Sequence, residues 1–162
     1  MPPKNIKAIA VINSPKCTGT IKIKQRALGG LTFYIDLKNL TPGKHGFHIH
    51  EAGNLEDGCA SCCAHFNPLN KEHGGPSDMD GKNRHLGDLG NIEADKNGKC
   101  VTTLHDKYLQ LTGFKYNIIG RSIVVHENED DLGRGGNIES KKTGNAGARI
   151  GCAVIGYQEA YY

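Results

Sequence analysis

Apolar and polar residues alternate with a period of two through the regular segments of this chain, and that period dictates extended strands. It is cleanest where Leu31, Phe33, Ile35 and Leu37 interleave with Thr32, Tyr34 and Asp36, making one side of an extended segment apolar and the other wet. The same signal marks residues 6–12, 20–24, 46–51, 88–94, 99–104, 121–126 and 149–155, which with 31–37 predicts eight short strands. Leu28-Gly29-Gly30, Thr41-Pro42-Gly43 and Asp95-Lys96-Asn97-Gly98 lie between them as turns, so neighbours in sequence pair as antiparallel hairpins. No segment keeps a 3.6-residue apolar period for three turns. The 22 glycines, about twice ordinary usage, agree with a chain of many tight turns. The expected class is all-β, a sandwich or barrel.

The length of 162 residues suits one domain spanning residues 1–162. Two stretches break the alternation, 52–84 and 127–148, both rich in Gly, Asn, Asp and Lys. Long loops on a compact scaffold are where function concentrates. Twenty basic residues against seventeen acidic give a net charge of +3, with no run of like charge to serve a nucleic acid or a membrane surface. No apolar stretch approaches a membrane span, and no apolar block follows Lys4 and Lys7. The expectation is a cytoplasmic protein with no nucleic-acid or membrane partner, whose thiols are free by default.

Histidine usage is the chemical signal, because six of the eight histidines fall between His45 and His85. In His48-Ile49-His50 both imidazoles point to one face of a strand while Phe47 and Ile49 point to the other. His65 could add a third nitrogen and His126 a fourth, and an all-imidazole set suits copper. His65, His73, His85 and Asp88 form a second set, three imidazoles and a carboxylate, which fits a closed tetrahedral zinc site. His65 serves both sets if its two ring nitrogens face opposite ways. His45, beside a turn, is expected to hydrogen-bond backbone, and His105 to be a solvated loop residue.

The runs Gly46-Phe47-His48-Ile49-His50-Glu51, His65-Phe66-Asn67-Pro68, His73-Gly74-Gly75-Pro76 and Arg84-His85-Leu86-Gly87-Asp88-Leu89-Gly90-Asn91 closely resemble the copper/zinc superoxide dismutases. Gly120-Arg121-Ser122-Ile123-Val124-Val125-His126-Glu127, Asp130-Asp131-Leu132-Gly133 and Thr143-Gly144-Asn145-Ala146-Gly147 continue the resemblance over nearly the whole chain. It implies an eight-stranded antiparallel Greek-key β-barrel or sandwich with two long functional loops. It also implies one copper on His48, His50, His65 and His126, and one zinc on His65, His73, His85 and Asp88. The implied reaction converts superoxide into dioxygen and hydrogen peroxide as copper alternates between Cu(II) and Cu(I), with His65 storing a proton. Asp130 matches the carboxylate that orients a histidine on each side, Arg149 the cation beside the channel, and Cys59 and Cys152 the family's intramolecular disulfide. A homodimer and a copper chaperone are the implied partners. A copper-delivery or copper/zinc-storage protein on the same fold is the alternative.

Several residues depart from the family pattern. Cys62-Cys63-Ala64 stands where Gly and Pro are common, making a Cys-x-x-Cys-Cys run that is expected to carry inert thiols, with Cu(I) binding or disulfide reshuffling as the other reading. Residues 77–83 lengthen the His73 to His85 spacing. Ile138 replaces a residue that is often acidic, beside the basic pair Lys141 and Lys142. Ala52 and Tyr157 alter expected dimer contacts, which points to a weakened dimer.

Overall fold

A computed structural model of the chain describes residues 5–78 and 83–161. Nine strands are present among them: β1 (Lys7–Ser14), β2 (Cys17–Gln25), β3 (Leu31–Lys38), β4 (Gly43–His50), β5 (Asp88–Ala94), β6 (Cys100–Asp106), β7 (Ser122–His126), β8 (Arg149–Val154) and β9 (Gly156–Tyr157). They form a five-stranded sheet in the order β6-β3-β2-β1-β9 and a four-stranded sheet in the order β5-β4-β7-β8. All pairings within the sheets are antiparallel. The chain passes between sheets after β3, β5, β6 and β8, so that β6 returns beside β3, β7 beside β4 and β9 beside β1, a Greek-key order.

The eight expected strands are all found, with one addition. β9 pairs only Ala8 with Tyr157 and Ile9 with Gly156, and two residues are too few to show a period. β2 begins three residues earlier than the alternation suggested, because Gly19 interrupts it. A Cβ on Gly19 would lie 2.1 Å from the carbonyl oxygen of Asp36, so only glycine lets β3 approach here. Of the barrel and sandwich alternatives the sandwich describes the ladders: among the described residues no strand pairing joins one sheet to the other.

Alternation becomes a core as each sheet turns its apolar parity inward. Ala8, Ala10, Ile12, Ile21, Ile23, Phe33 and Ile35 from one sheet meet Phe47, Ile49, Ile92, Ile123 and Val125 from the other. Phe33 and Phe47 touch edge to face with ring centroids 6.5 Å apart, a favourable geometry for two quadrupoles. His105 is a correction: it lies in β6, exposed, with Nδ1 3.0 Å from Thr32 Oγ1 on β3.

The second sheet positions the site. Strand β7 is buried at every residue, and β4 from His45 onward. Their inward parity is apolar core, and the opposite parity carries His48, His50 and His126. That outer face is covered by the two long connections. The first contains a 3-10 turn (Gly58–Cys62), and the second a single helical turn, α1 (Ser140–Thr143). Register shifts in β4 between Gly46 and His48 and in β7 between Val125 and His126 re-aim side chains, as bulges do beside functional sites.

Candidate metal centre

Hydrogen bonds leave His48, His50 and His126 one nitrogen each to offer. His48 gives Nε2 to Asp130 Oδ2 at 2.6 Å, so its Nδ1 is turned inward, buried and without a hydrogen-bond partner. His50 Nδ1 lies 2.9 Å from the carbonyl of Cys63, and His126 Nδ1 3.0 Å from that of Gly147. Their Nε2 atoms then face each other at 3.4 Å. The Nδ1 of His65 is 2.8 Å from Asp88 Oδ1, which leaves Nε2 for the other side. Together His48, His50, His65 and His126 each place one nitrogen within a common 4.8 Å.

The opposite side of His65 has equally convergent donors. His65 Nδ1 and His85 Nδ1 are 3.3 Å apart, and His85 Nδ1 and His73 Nδ1 each lie 3.1 Å from Asp88 Oδ1. His73 Nε2 is engaged by Asp130 Oδ1 at 2.8 Å, which leaves its buried Nδ1 without a hydrogen-bond partner. For a tetrahedral ion with Zn–N bonds of about 2.0–2.1 Å, ligand atoms sit roughly 3.3 Å apart. Buried orphan nitrogens on His48 and His73, one in each set, are the observation that fits two metal ions to these donors.

Asp130 therefore joins the two sides, one oxygen to His48 and the other to His73. It is held by Asn91, whose Oδ1 accepts from the Asp130 N–H at 2.8 Å and whose Nδ2 donates to its carbonyl at 2.9 Å. Gly144 closes over it: at φ +70° a Cβ would lie 2.0 Å from Asp130 Oδ1 and 2.5 Å from His73 Nε2. Neither Asn91 nor Gly144 had a signal in the sequence beyond its place in a matching run. Arg84 was likewise not anticipated. Its buried guanidinium donates to the carbonyls of Leu86 at 2.9 Å and Asp88 at 2.6 Å and pairs with Asp106, fixing the turn that presents His85 and Asp88. His45 meets backbone as expected, its ring nitrogens 2.8 Å from the carbonyls of His126 and Thr41.

A cavity of about 1350 Å³ opens onto His65, His85 and His126, with Lys71, Lys141, Lys142, Arg134 and Arg149 in its wall against Glu51, Glu72 and Glu139. The excess of cations favours a small anion. Arg149 is aimed by Nη1 to the Cys59 carbonyl at 2.7 Å and Nη2 to that of Cys63 at 2.8 Å. The disulfide expected from the resemblance, Cys59 to Cys152, is formed with Cα atoms 5.7 Å apart, and Cys17, Cys62, Cys63 and Cys100 are free. Asp78 links the lengthened stretch to the second loop through Arg134 at 2.6 Å; residues 79–82 lie outside the described residues.

A model of the family described as copper/zinc superoxide dismutase matches residues 17–155. The chain belongs to this family. It is 57% identical to the superoxide dismutase [Cu-Zn] of Paramecium bursaria Chlorella virus 1 over 95% of this chain and 80% of that protein. It is 48% identical to superoxide dismutase [Cu-Zn] 5 of Dictyostelium discoideum over 93% of this chain and 97% of that one. Among solved structures, that of the clock protein EA4 superposes with a TM-score of 0.89 at 43% identity, covering 95% of this chain and 96% of the other. Copper and zinc are the cofactors of a copper/zinc superoxide dismutase, and the two convergent donor sets accommodate them.

Without metal, the centre should be sensitive to acid. Burial pushes His48 to about 3, His50 to about 2 and His126 to about 4, from an ordinary 6.5. Unfolding releases these rings to take protons below about 6.5, so each contributes stability that is complete above that pH. On acidification toward 4 it is lost at up to about 1.4 kcal/mol per unit. His73 has the opposite sign: burial opposes its charge, but hydrogen bonds to Asp130 and Asp88 raise it to about 9. Its contribution is complete below 6.5 and fades as pH rises to 9. Urea unfolding of metal-free protein from pH 4 to 9 should therefore give a maximum near 6.5 and a much steeper acid side. A profile that is flat or improves below pH 6 would contradict the burial of neutral imidazoles.

Proposed function

We propose that this chain converts superoxide into dioxygen and hydrogen peroxide at a copper and a zinc ion that share His65. The observation carrying this reading is that His65 belongs to both convergent donor sets, with Nδ1 2.8 Å from Asp88 Oδ1 and a ring nitrogen within 4.8 Å of those of His48, His50 and His126. His48, His50, His65 and His126 would hold copper, and His65, His73, His85 and Asp88 would hold zinc. Copper, when bound, supplies a one-electron couple that accepts an electron from one superoxide and returns it to the next, while zinc supplies a fixed charge. Asp130 fixes the rings of His48 and His73, so neither set can reorient without the other. His65 would hold one proton for the departing peroxide, the second coming from solvent. Arg149, its guanidinium tethered to two carbonyls, draws the anion to the copper side.

Arg149→Ile tests the anion role, since it removes a charge without touching a ligand. The superoxide rate should fall about tenfold or more with copper retained, and the remaining rate should depend less on salt. An unchanged rate at low ionic strength would place anion capture elsewhere. The delivery or storage alternative is not favoured by relatives named as dismutases.

The reading extends to a homodimer. Gly53, Ile119, Gly120, Val154 and Gly156 offer the self-complementary patch a two-fold contact needs, and exposed Val11, Leu55 and Val154 lie around a groove there. Ala52 contributes little apolar area. Tyr157 spends its hydroxyl on the Leu111 carbonyl at 3.3 Å and packs edge to face on Tyr161, leaving its ring half-exposed. Losing an aromatic-sized contact at two symmetric positions amounts to a few kcal/mol at roughly 25 cal/mol per Å², hence orders of magnitude in dissociation constant. Sedimentation from nanomolar to micromolar should show monomer giving way to dimer, and a fixed mass throughout would contradict a weakened interface. A copper chaperone for loading and a cytoplasmic location complete the reading, with cell fractionation as the check on the latter.

A further inference from the structure

The turn that holds Cys59 also holds a second cysteine, Cys62. Cys59 and Cys62 lie three residues apart in the 3-10 turn Gly58–Cys62. In such a turn side chains at i and i+3 eclipse, and three steps of about 2.0 Å set their Cα atoms roughly 6 Å apart. A disulfide accepts Cα separations of about 4.4–6.8 Å. Cys59 thus has two admissible partners, Cys152 across the loop at 5.7 Å and Cys62 along its own turn. Cys62 is a free thiol, wholly buried, with Sγ resting 3.7 Å from the Asn54 carbonyl. Cys63 is different: it is exposed, its backbone leaves the turn at φ 66° and ψ −152°, and its Sγ sits on the Ser61 carbonyl at 3.6 Å.

We propose that Cys59, Cys62 and Cys152 form a thiol–disulfide exchange site, in which Cys59 moves between Cys152 and Cys62. In the forward step Cys62 Sγ attacks Cys59 Sγ. The Cys59–Cys62 bond forms, the Cys59–Cys152 bond breaks, and the proton given up by Cys62 ends on Cys152. One disulfide and one thiol are present before and after, so no oxidant or reductant is consumed. Loop length decides the direction when β8 is not seated. The Cys59–Cys152 ring spans a sequence separation of 93 against three for Cys59 and Cys62, and closure entropy favours the short ring on the order of a hundredfold. Seated β8 holds Cys152 beside Cys59 and reverses that preference, so the bond found on Cys59 reports whether β8 is docked.

The consequence reaches the metal centre through carbonyls. Those of Cys59 and Cys63 hold Arg149, and that of Cys63 also meets His50 Nδ1. Re-forming the turn around a Cys59–Cys62 bond moves all three contacts together. The inference rests on backbone spacing and not on metal chemistry, so its failure leaves the proposed function untouched.

The test is to unseat β8 in the metal-loaded, oxidised full-length protein with rising urea and a trace of reduced glutathione to catalyse exchange, quench with acid, alkylate free thiols and map disulfides by mass after digestion. Across the transition a peptide with an internal Cys59–Cys62 bond should appear in at least a tenth of the molecules, matched by alkylated Cys152. Cys62→Ala should abolish that species, and Cys63→Ser should leave it in place. A Cys59–Cys152 bond kept throughout the transition in the unaltered chain would overturn the proposal. So would a glutathione adduct on Cys59 with Cys62 alkylated, or a Cys59–Cys63 bond instead.

Discussion

Arg84→Met should lower the unfolding free energy by about 3–5 kcal/mol, the usual cost of breaking a buried ion pair from one side. The Arg84 side chain is 1% exposed and Asp106 2%, so the carboxylate left behind has no access to water. Asp106 would retain the N–H donors of Tyr108 at 2.8 Å and Leu109 at 2.7 Å on Oδ1, while Oδ2 would lose the guanidinium. The carbonyls of Leu86 and Asp88 lose their donor as well. For a chain of this length the loss amounts to roughly 10 °C or more in Tm. The turn carrying His85 and Asp88 is what these bonds secure, so zinc affinity should fall with stability. Adding Asp106→Leu to Arg84→Met should restore part of the loss, because an apolar pair avoids the stranded charge. Denaturant unfolding of the unaltered chain and the two variants decides it, and a loss below about 1 kcal/mol in Arg84→Met would show that water or another cation reaches Asp106.

That pairing also shows where reading the sequence stops. His48 and His50 were legible because a strand puts alternate residues on one face, and β4 does so with Phe47 and Ile49 beneath them. His65, His73, His85 and Asp88 were legible as donors by residue type, and their grouping agrees with the structure. What could not be read is contact between distant backbones. Arg84 meets Asp106 across 22 residues, and Asn91 holds Asp130 across 39. Neither distance leaves any local period. Gly144 stood out only as part of a matching run, yet its missing Cβ is what lets Asp130 reach His73. The ninth strand escaped for the opposite reason, since Gly156 and Tyr157 pair with β1 over a span too short for alternation. The carbonyl tethers of Arg149 depend on the 3-10 turn at Cys59, which the alternation pattern does not address.

The largest effect should come from removing copper. With His48 Nδ1 orphaned in one set and His73 Nδ1 in the other, the chain should take up one copper and one zinc. Its superoxide turnover should vanish when copper alone is withdrawn, because zinc has no redox couple to offer. Asp130 couples the two sets through His48 and His73, so zinc removal should loosen copper binding while leaving some turnover. The decisive measurement is elemental analysis of the loaded protein paired with a superoxide assay on the same sample. The account predicts one copper and one zinc per chain, with turnover that falls at least a hundredfold on selective copper removal and returns when copper is restored. A single metal per chain, two zinc ions with no preference for copper, or turnover indifferent to copper would contradict it.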